Sequence, residues 1–204
     1  IYVICKNDSN EWQEWSWSAT TDPGTYWMTE SMNKLGTAIL KEGQFRGCWK
    51  IGLHKGEKPA LVQIKPVTVY RDNDHDAQHD YNLGESTGLY GINIHRAGAN
   101  STNVDKWSAG CQVFAKDSDF EQFLVLCRKQ VSAGHGDIFS YTLLKEEYID
   151  DQIGRVQIRI ATVFDEVVKH MEMVLTVQSA SSGPVALGYS HQHEQQTNNI
   201  RKRL

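Results

Sequence analysis

The feature that most constrains the fold of this chain is a series of short segments rich in Val, Ile, Tyr, Trp and Phe. These residue types favour β-strands, and clusters of Gly, Asn, Asp and Pro separate the segments as turns separate strands. The predicted strands cover residues 1–6, 11–19, 43–54, 60–71, 89–95, 111–115 and 138–144. The polar stretches 6–10 and 55–58 predict turns between neighbouring strands. The sequence therefore predicts a mainly β domain over residues 1–145.

One segment of this domain has the periodicity of a packed helix. Between residues 118 and 133, apolar side chains recur three and four positions apart, which places them on one helix face. They are Phe120, Phe123, Leu124, Leu126, Cys127 and Val131. Asp117 and Asp119 offer an N-terminal cap, and Gly134 follows the last turn. The predicted fold class is therefore mainly β (α+β), with one helix packed on the strands.

The composition changes near Lys145. Between residues 146 and 178, apolar residues recur in steps of three and four, which predicts an amphipathic helix for docking or for homo-oligomer formation. The alternating residues 156–160 leave a strand open as the alternative there. Residues 179–204 are rich in Ser, Gly, Gln, His and Asn, the composition of a disordered polar tail. We expect His191 and His193 in this tail to be solvated rather than metal-bound.

Charge and hydropathy exclude two classes of partner. The net charge of −4 at pH 7 lacks the basic excess that binding to a nucleic-acid backbone requires. No apolar run is long enough to span a membrane, so we expect no membrane span.

The four cysteines, Cys5, Cys48, Cys111 and Cys127, form no CxxC pair, which argues against a zinc knuckle. The pattern favours Cys5, Cys48 and Cys127 as buried small hydrophobes, and it leaves a Cys5–Cys48 disulfide open.

A histidine and a cysteine stand sixteen positions apart, each beside an apolar segment. His95 ends the run Gly91-Ile92-Asn93-Ile94-His95, and Cys111 ends the small-residue run Ser108-Ala109-Gly110-Cys111. A free thiol is mostly protonated near neutral pH, and a neighbouring imidazole can take its proton. Alone, each residue would more often be structural. Together they predict a nucleophile and its general base.

This stretch resembles the catalytic motif of the L,D-transpeptidases (the YkuD-type domain). That family has a histidine at the end of a strand, a spacer of this length, and then Ser/Thr-His-Gly-Cys. Ser108, Gly110 and Cys111 match three of those four positions, while Ala109 stands where the family has histidine. Val113 stands where the family has Arg or Asn. With a weaker similarity at residues 41–47, the resemblance covers about residues 36–144.

The resemblance implies an L,D-transpeptidase-like β-sandwich that transfers acyl groups of peptidoglycan stem peptides through a Cys111 thioester. His95 would be the general base, and backbone N–H groups at Gly110 and Cys111 would form the oxyanion hole. Water as acceptor gives a carboxypeptidase or endopeptidase, and a second stem peptide gives a cross-link. The reaction needs no cofactor and no metal. The implied location is the bacterial cell envelope or a phage particle.

Other residues around the motif have two open roles each. Ser108 holds His95 or a backbone group, or is a turn serine. Asn93 faces the cleft with His95 or points outward. Tyr90 and Arg96 contact a substrate carboxylate or belong to the surface. Trp107 walls the pocket or packs beneath the loop.

The acidic loop, residues 72–80, carries aspartates at positions 1, 3, 5 and 9, like the start of a calcium-binding loop. Ala77 stands where such loops have glycine, and Leu83 stands where they have the closing glutamate. We expect a solvated loop, with calcium binding as the alternative.

Two further function classes remain open. The departures at Ala109 and Val113, with the predicted C-terminal helix, are compatible with an inactive virion or cell-surface assembly protein that retains the fold. A carbohydrate-binding module would use Trp12, Trp15 and Trp17, but no aligned aromatic stripe accompanies them.

Overall fold

The strands of this protein dominate its architecture, as predicted. The computed structural model describes residues 1–7, 9–98 and 100–145, and the backbone of residues 172–178. The strands are β1 (Tyr2–Lys6), β2 (Trp12–Ser16), β3 (Ala19–Thr20), β4 (Thr37–Leu40), β5 (Gly43–His54), β6 (Lys58–Gln63), β7 (Val67–Asp72), β8 (Glu85–Gly88), β9 (Ile94–Arg96), β10 (Gln112–Phe114), β11 (Ile138–Lys145) and β12 (Glu172–Gln178). The helices are α1 (Thr25–Thr29), α2 (Asp117–Ser132) and a 3₁₀ turn at Asp105–Trp107. The fold is mainly β with one main helix.

The described strands form one large sheet and two small ones. The large sheet has the order β12-β11-β5-β6-β9-β10-β3, and β4-β7-β8 and the β1-β2 hairpin lie apart from it. Most neighbours are antiparallel, but β9 and β10 run parallel. Because parallel neighbours need a crossover, the chain leaves the sheet between them and returns through the 3₁₀ turn. This crossover carries the residues that precede Cys111.

The core lies between the large sheet and α2. Trp49, Phe114 and Tyr141 from the sheet meet Phe120 and Phe123 of the helix, and all five side chains are essentially inaccessible to water. Each such burial contributes about 1.5–3 kcal/mol, so the α2 face is a main source of stability.

Three strand predictions differ from the structure. The predicted strand over residues 60–71 is divided into β6 and β7, because Pro66 has no N–H to donate to a ladder. The predicted strand over residues 89–95 is a strand only from Ile94, because the side chain of Gln63 takes the N–H groups of residues before it. The predicted strand over residues 11–19 is likewise divided into β2 and β3. Sequence reasoning missed the short elements α1, β4 and β8.

The predicted caps of α2 need one correction. Lys116 is the N-cap residue, and its side chain makes no capping hydrogen bond. Asp117 and Asp119 lie in the first turn instead, where carboxylates favour the positive end of the helix dipole. Gly134 follows the helix with a φ of 81°, as expected of a residue that terminates it.

The predicted helix over residues 146–178 is wrong in its last part. Glu172–Gln178 forms β12, which pairs parallel with β11. The segment contains the β-branched residues Val174, Thr176 and Val177, which favour strand geometry, and the edge of β11 offers it backbone partners. Residues 146–171 and the predicted tail, residues 179–204, lie outside the described residues. In the described part of the chain, no helix is both long and apolar enough to cross a membrane.

The early tryptophans do not form one aromatic platform. Trp15 and Trp17 pack against the core, whereas Trp12 is 49% exposed and lies beside the Lys6 ammonium on the neighbouring strand. The cysteines are all free, so a Cys5–Cys48 disulfide is not formed. Cys48 and Cys127 are buried, as predicted, and Cys5 is half-buried.

Candidate active site

The parallel pairing of β9 and β10 brings His95 and Cys111 together. In this pairing Gln112 lies opposite Ile94 and Val113 lies opposite His95. Cys111 comes two positions before Val113, so it belongs to the same face of the sheet as His95. One ring nitrogen of His95, one of His54 and the Sγ of Cys111 all lie within 4.8 Å of one another. The predicted nucleophile and base are therefore neighbours, and a second imidazole joins them.

His95 is held as a neutral ring with one free lone pair. Its Nδ1 lies 2.8 Å from the Arg96 carbonyl oxygen. Because a carbonyl only accepts hydrogen bonds, Nδ1 carries the proton and Nε2 carries the lone pair. Nε2 is buried and has no hydrogen-bond partner among the described residues. Burial lowers the pKa of His95, which keeps the ring available as a base near neutral pH.

Cys111 is a half-buried, protonated thiol at rest. Its Sγ donates a hydrogen bond to the Gly91 carbonyl oxygen at 3.3 Å. Burial raises the pKa of Cys111, against the opposing effects of the Asn93 backbone N–H and the Lys55 charge. The resting pair is thus a neutral thiol and a neutral imidazole. Rotation about the Cβ–Sγ bond would turn the thiol proton from Gly91 towards His95.

Ser108 is a turn serine. Its Oγ donates to the Cys111 carbonyl oxygen at 2.7 Å and accepts the Gly110 N–H at 3.1 Å, and the side chain is buried. These bonds close the turn of residues 108–111 on itself, and Ser108 does not hold His95. The Gly110 N–H is therefore not free to bind an oxyanion. The Cys111 N–H donates to no acceptor among the described residues, so it is a free donor of this turn.

Gly110 is required by the path of the backbone. Its φ is +124°, and a Cβ at this position would lie 2.3 Å from the Ala38 carbonyl oxygen of β4. Only glycine fits such a contact. The predicted importance of this position is therefore steric.

Gln112 supports the same turn from inside the protein. Its fully buried Nε2 donates to the carbonyl oxygens of Thr21 and Gly110, at 3.1 and 3.4 Å, and its Oε1 accepts the Tyr141 hydroxyl. Gln112, the residue before Val113, thus stabilises the turn with an uncharged side chain.

Asn93 points into the protein and positions a histidine. Its Oδ1 accepts the Gln63 backbone N–H at 3.0 Å, which fixes the orientation of the amide. Its Nδ2 therefore donates to His54 Nδ1 at 3.0 Å. With both amide atoms engaged, Asn93 is a positioning residue rather than a substrate contact.

His54 is a site residue that sequence reasoning missed. It ends β5, and its ring stacks on His95 with the centroids 4.2 Å apart. Because Nδ1 accepts from Asn93, Nε2 carries the proton of the neutral ring. Burial lowers the pKa of His54 to about 4, with further lowering by His95, Lys55 and Lys58. The sequence signal for His54 was its position at the end of a predicted strand. Its place beside His95 depends on the pairing of β5 with β6 and of β6 with β9, which the sequence does not reveal.

The side-chain amide of Gln63 forms the hydrogen bonds that a neighbouring strand would otherwise form with the residues before His95. Its Oε1 accepts the N–H groups of Tyr90 and Ile92, and its Nε2 donates to the carbonyl oxygens of Lys65 and Gly88. Trp49 adds a buried bond from its Nε1 to the Ile92 carbonyl oxygen at 2.7 Å. These bonds align residues 88–92 without a backbone ladder.

The other predicted substrate contacts are engaged elsewhere. The Arg71 guanidinium lies over the Tyr90 ring, 4.4 Å from its centroid. Arg96 pairs with the Asp117 carboxylate of α2. Trp107 is 45% exposed and lies over Gly98. Among the described residues, none of the three forms a hydrogen bond with the Cys111 thiol.

The arrangement suits two kinds of chemistry. A thiol beside an imidazole can attack a carbonyl carbon, and two imidazoles with a thiolate can also hold a soft ion such as zinc. A second group of possible metal ligands, Asp72, Asp74 and Asp80, lies in the acidic loop.

The comparisons with known proteins add no family. No family model matches the chain, and neither a curated protein nor a solved structure matches it. A function for the chain therefore has to come from the geometry of its site and from the motif in its sequence.

Proposed function

We propose that this protein catalyses cysteine-dependent acyl transfer on peptidoglycan stem peptides, as an L,D-transpeptidase or as an L,D-carboxypeptidase or endopeptidase. The observation that carries the proposal is the free Nε2 lone pair of His95 beside the Cys111 thiol. The hydrogen bond from Nδ1 to a carbonyl fixes the buried imidazole, and this orients Nε2 as a general base requires. The resemblance of residues 91–114 to the L,D-transpeptidase motif supplies the substrate class.

The proposed reaction begins with proton transfer from the Cys111 thiol to His95 Nε2. The sulfur attacks the amide carbon that joins an L-centre to a D-centre, and the carbonyl oxygen becomes an oxyanion. The C–N bond then breaks, and the His95 imidazolium gives its proton to the leaving amine. The thioester is attacked by water or by an amine, whose proton passes to His95, and the thiol is restored. Every proton removed is thus returned, and no cofactor is consumed.

His54 and Cys111 supply the donors that this mechanism needs for the oxyanion. The Cys111 N–H has no acceptor in the part of the chain that the structure describes, and the neutral His54 ring carries a proton on Nε2. The resembled family has a histidine at the position of Ala109. Here an imidazole from β5 provides that group from another part of the chain, which supports an active site rather than a degenerate one.

Positive charge at the rim of the site suits an anionic peptide. Lys55 and Lys58 are exposed in the β5–β6 turn, and both lower the pKa of the neighbouring histidines. Stem peptides carry free carboxylates, which these ammonium groups would attract over a range of about 10 Å. Since the substrate is a component of the bacterial wall, we place the protein in the bacterial envelope or in a phage particle.

The decisive experiment is incubation of purified tetrapeptide and pentapeptide muropeptides with the full chain, followed by mass spectrometry. A trimmed peptide identifies hydrolysis, and a product joined to an added amine identifies transfer. The Cys111→Ala variant should give neither product. Cys5→Ala is the matched control, because Cys5 is also half-buried and free but lies outside the site.

An acyl-enzyme adduct should be found on Cys111 and on no other cysteine. If wild-type protein leaves every muropeptide unchanged and forms no adduct, the proposal fails. The assembly role would then account better for the retained fold.

A further inference from the structure

The acidic loop gathers three carboxylates that the proposed reaction does not use. Asp72 ends β7, Asp74 follows it by two positions, and the chain returns to the same place at Asp80. One carboxylate oxygen of each lies within 4.8 Å of the other two. Three negative charges this close repel one another strongly unless a cation or protons compensate them.

Asp72 provides an observation that is independent of the clustering. The residue is only 1% exposed. Its Oδ2 accepts the Asp80 backbone N–H at 2.7 Å, but its Oδ1 is buried and has no hydrogen-bond partner among the described residues. A buried carboxylate oxygen without a partner costs several kcal/mol, so natural structures pair it or coordinate it to a metal.

No side chain in the described part of the protein forms a hydrogen bond or an ion pair with this oxygen. The neighbouring Arg71 directs its guanidinium to Ser86 and over the Tyr90 ring. The ion pairs among the described residues join other partners, and none includes Asp72. The loop is thus short of positive charge at its centre.

We propose that Asp72, Asp74 and Asp80 bind a hard divalent cation, and that this cation is Ca²⁺. The donor set is all carboxylate oxygen, which suits Ca²⁺ and Mg²⁺ and does not suit zinc or copper. Asp74 is exposed and Asp80 is partly exposed, so water can complete the six to eight ligands that Ca²⁺ takes. Mg²⁺ requires a nearly ideal octahedron, which a single loop of this kind does not impose.

The fourth aspartate of the loop is not part of the site. Both oxygens of Asp76 accept hydrogen bonds from Gln78, one from its backbone N–H and one from its side chain, each at 2.7 Å. Asp76 therefore offers an aspartate of the same loop with the same charge but without the ligand geometry.

The two departures from a calcium-loop pattern are also limited in effect. Ala77 adopts the positive φ of 68° that the pattern assigns to glycine, and the ligands come from positions 1, 3 and 9 without Leu83.

The bound cation would fix the loop against α1 and thereby against the turn that carries Cys111. His75 Nδ1 donates to the Thr29 carbonyl oxygen at 2.9 Å, and His79 Nε2 donates to that of Pro23 at 2.8 Å. The next residue, Gly24, donates its N–H to the Ser108 carbonyl oxygen at 2.9 Å. A cation in the loop thus stabilises a segment two contacts away from the nucleophile.

The test uses the full chain after treatment with EDTA and dialysis, with CaCl₂ or MgCl₂ as the probe. We expect calorimetric titration to give one Ca²⁺ site, with Mg²⁺ binding at least about tenfold more weakly. Saturating Ca²⁺ should raise the unfolding temperature by about 5 °C or more, because it binds only the folded loop. Neither measurement depends on the proposed catalytic activity.

The exposed Asp74 and the partly exposed Asp80 provide the variants. Asp74→Asn and Asp80→Asn should each weaken Ca²⁺ binding by at least about tenfold, whereas the matched control Asp76→Asn should bind as wild type does. Absence of heat and of any thermal shift up to about 10 mM Ca²⁺ would overturn the proposal, since even weak extracellular sites saturate there. Equal weakening by Asp76→Asn would also overturn it, because that result indicates general attraction to negative charge.

Discussion

The imidazole rings of His54 and His95 stack, with centroids 4.2 Å apart and ring planes inclined by 27°. Two positive rings at this distance would repel each other, so at most one of them is charged at a time. Burial, and then His95, lowers the pKa of His54 to about 4, which keeps His54 neutral while His95 exchanges protons. In the proposed mechanism the pair would separate two roles: His95 would move the proton and His54 would donate a fixed hydrogen bond.

Replacement of His54 separates stacking from hydrogen bonding. His54→Phe keeps an aromatic ring beside His95 but has no N–H, so we expect kcat/KM on muropeptides to fall by about 10²–10³, the effect of losing one oxyanion donor. His54→Gln retains a donor and should lose less. Steady-state kinetics measure this difference. Alkylation of Cys111 by iodoacetamide forms no oxyanion, and an equal loss in its rate would contradict this role.

The pH dependence should follow the lowered pKa of His95. Only the neutral ring accepts the thiol proton, and a lowered pKa moves the rise in neutral fraction to lower pH. The acid limb of kcat/KM should therefore have its midpoint below about 6.5, the value of an unperturbed histidine. Conversely, burial raises the pKa of Cys111, so alkylation in the absence of substrate should rise with a midpoint above about 8.5. An acid midpoint above 6.5 would show that His95 is not desolvated.

Lys55 and Lys58 provide a matched pair for the same measurement. Both lysines lower the pKa of the two histidines, and Lys55 also lowers that of Cys111. Lys55→Gln should therefore move the alkylation profile to higher pH, and Lys58→Gln should leave it in place. The reverse order would contradict the assignment of Lys55 to the thiol.

Gly110→Ala should destabilise the protein far more than Gly56→Ala. Both glycines have positive φ, but a Cβ on Gly56 has nothing within 4 Å, whereas one on Gly110 overlaps the Ala38 carbonyl oxygen. We expect a loss of about 1–2 kcal/mol for Gly56→Ala, from backbone strain alone. We expect more than about 3 kcal/mol for Gly110→Ala, because a backbone atom of β4 has to move. Denaturant unfolding measures both, and equal losses would contradict the overlap.

Arg96 should prove to be structural. Its ion pair with Asp117 is about one-third exposed at both side chains, so Arg96→Gln and Asp117→Asn should each cost about 1 kcal/mol or less. The double variant should cost little more than either single variant. KM for muropeptides should be unchanged in Arg96→Gln. A large rise in KM would instead return Arg96 to the role of binding a substrate carboxylate.

Features set by local sequence were predictable, and those set by strand pairing were not. The strand over residues 43–54 has the predicted bounds in β5, because strand-forming residues and the turn after them are contiguous in sequence. The helix over residues 118–133 is within one residue of α2 for the same reason. In contrast, Glu172–Gln178 has apolar spacing that fits both periods, and an available sheet edge favours the strand.

The candidate site followed the same division. The motif predicted Cys111 and His95 as neighbours, and β9 and β10 place them together. It did not predict His54. This residue reaches the site through the antiparallel pairings of β5 with β6 and of β6 with β9, which no periodicity in the sequence indicates. Nor did it predict that Gly110 would donate its N–H to Ser108, since that depends on the side-chain rotamer of a turn residue.

The side-chain amide of Gln63 has a consequence for how the protein behaves among other copies of itself. Without it, the N–H groups of Tyr90 and Ile92 would be free, and free backbone N–H groups at an edge recruit strands from neighbouring molecules and lead to aggregation. Oε1 of Gln63 already accepts the N–H groups of Tyr90 and Ile92. One side chain therefore blocks strand pairing at a segment that lies next to Cys111, whose thiol donates to the Gly91 carbonyl oxygen.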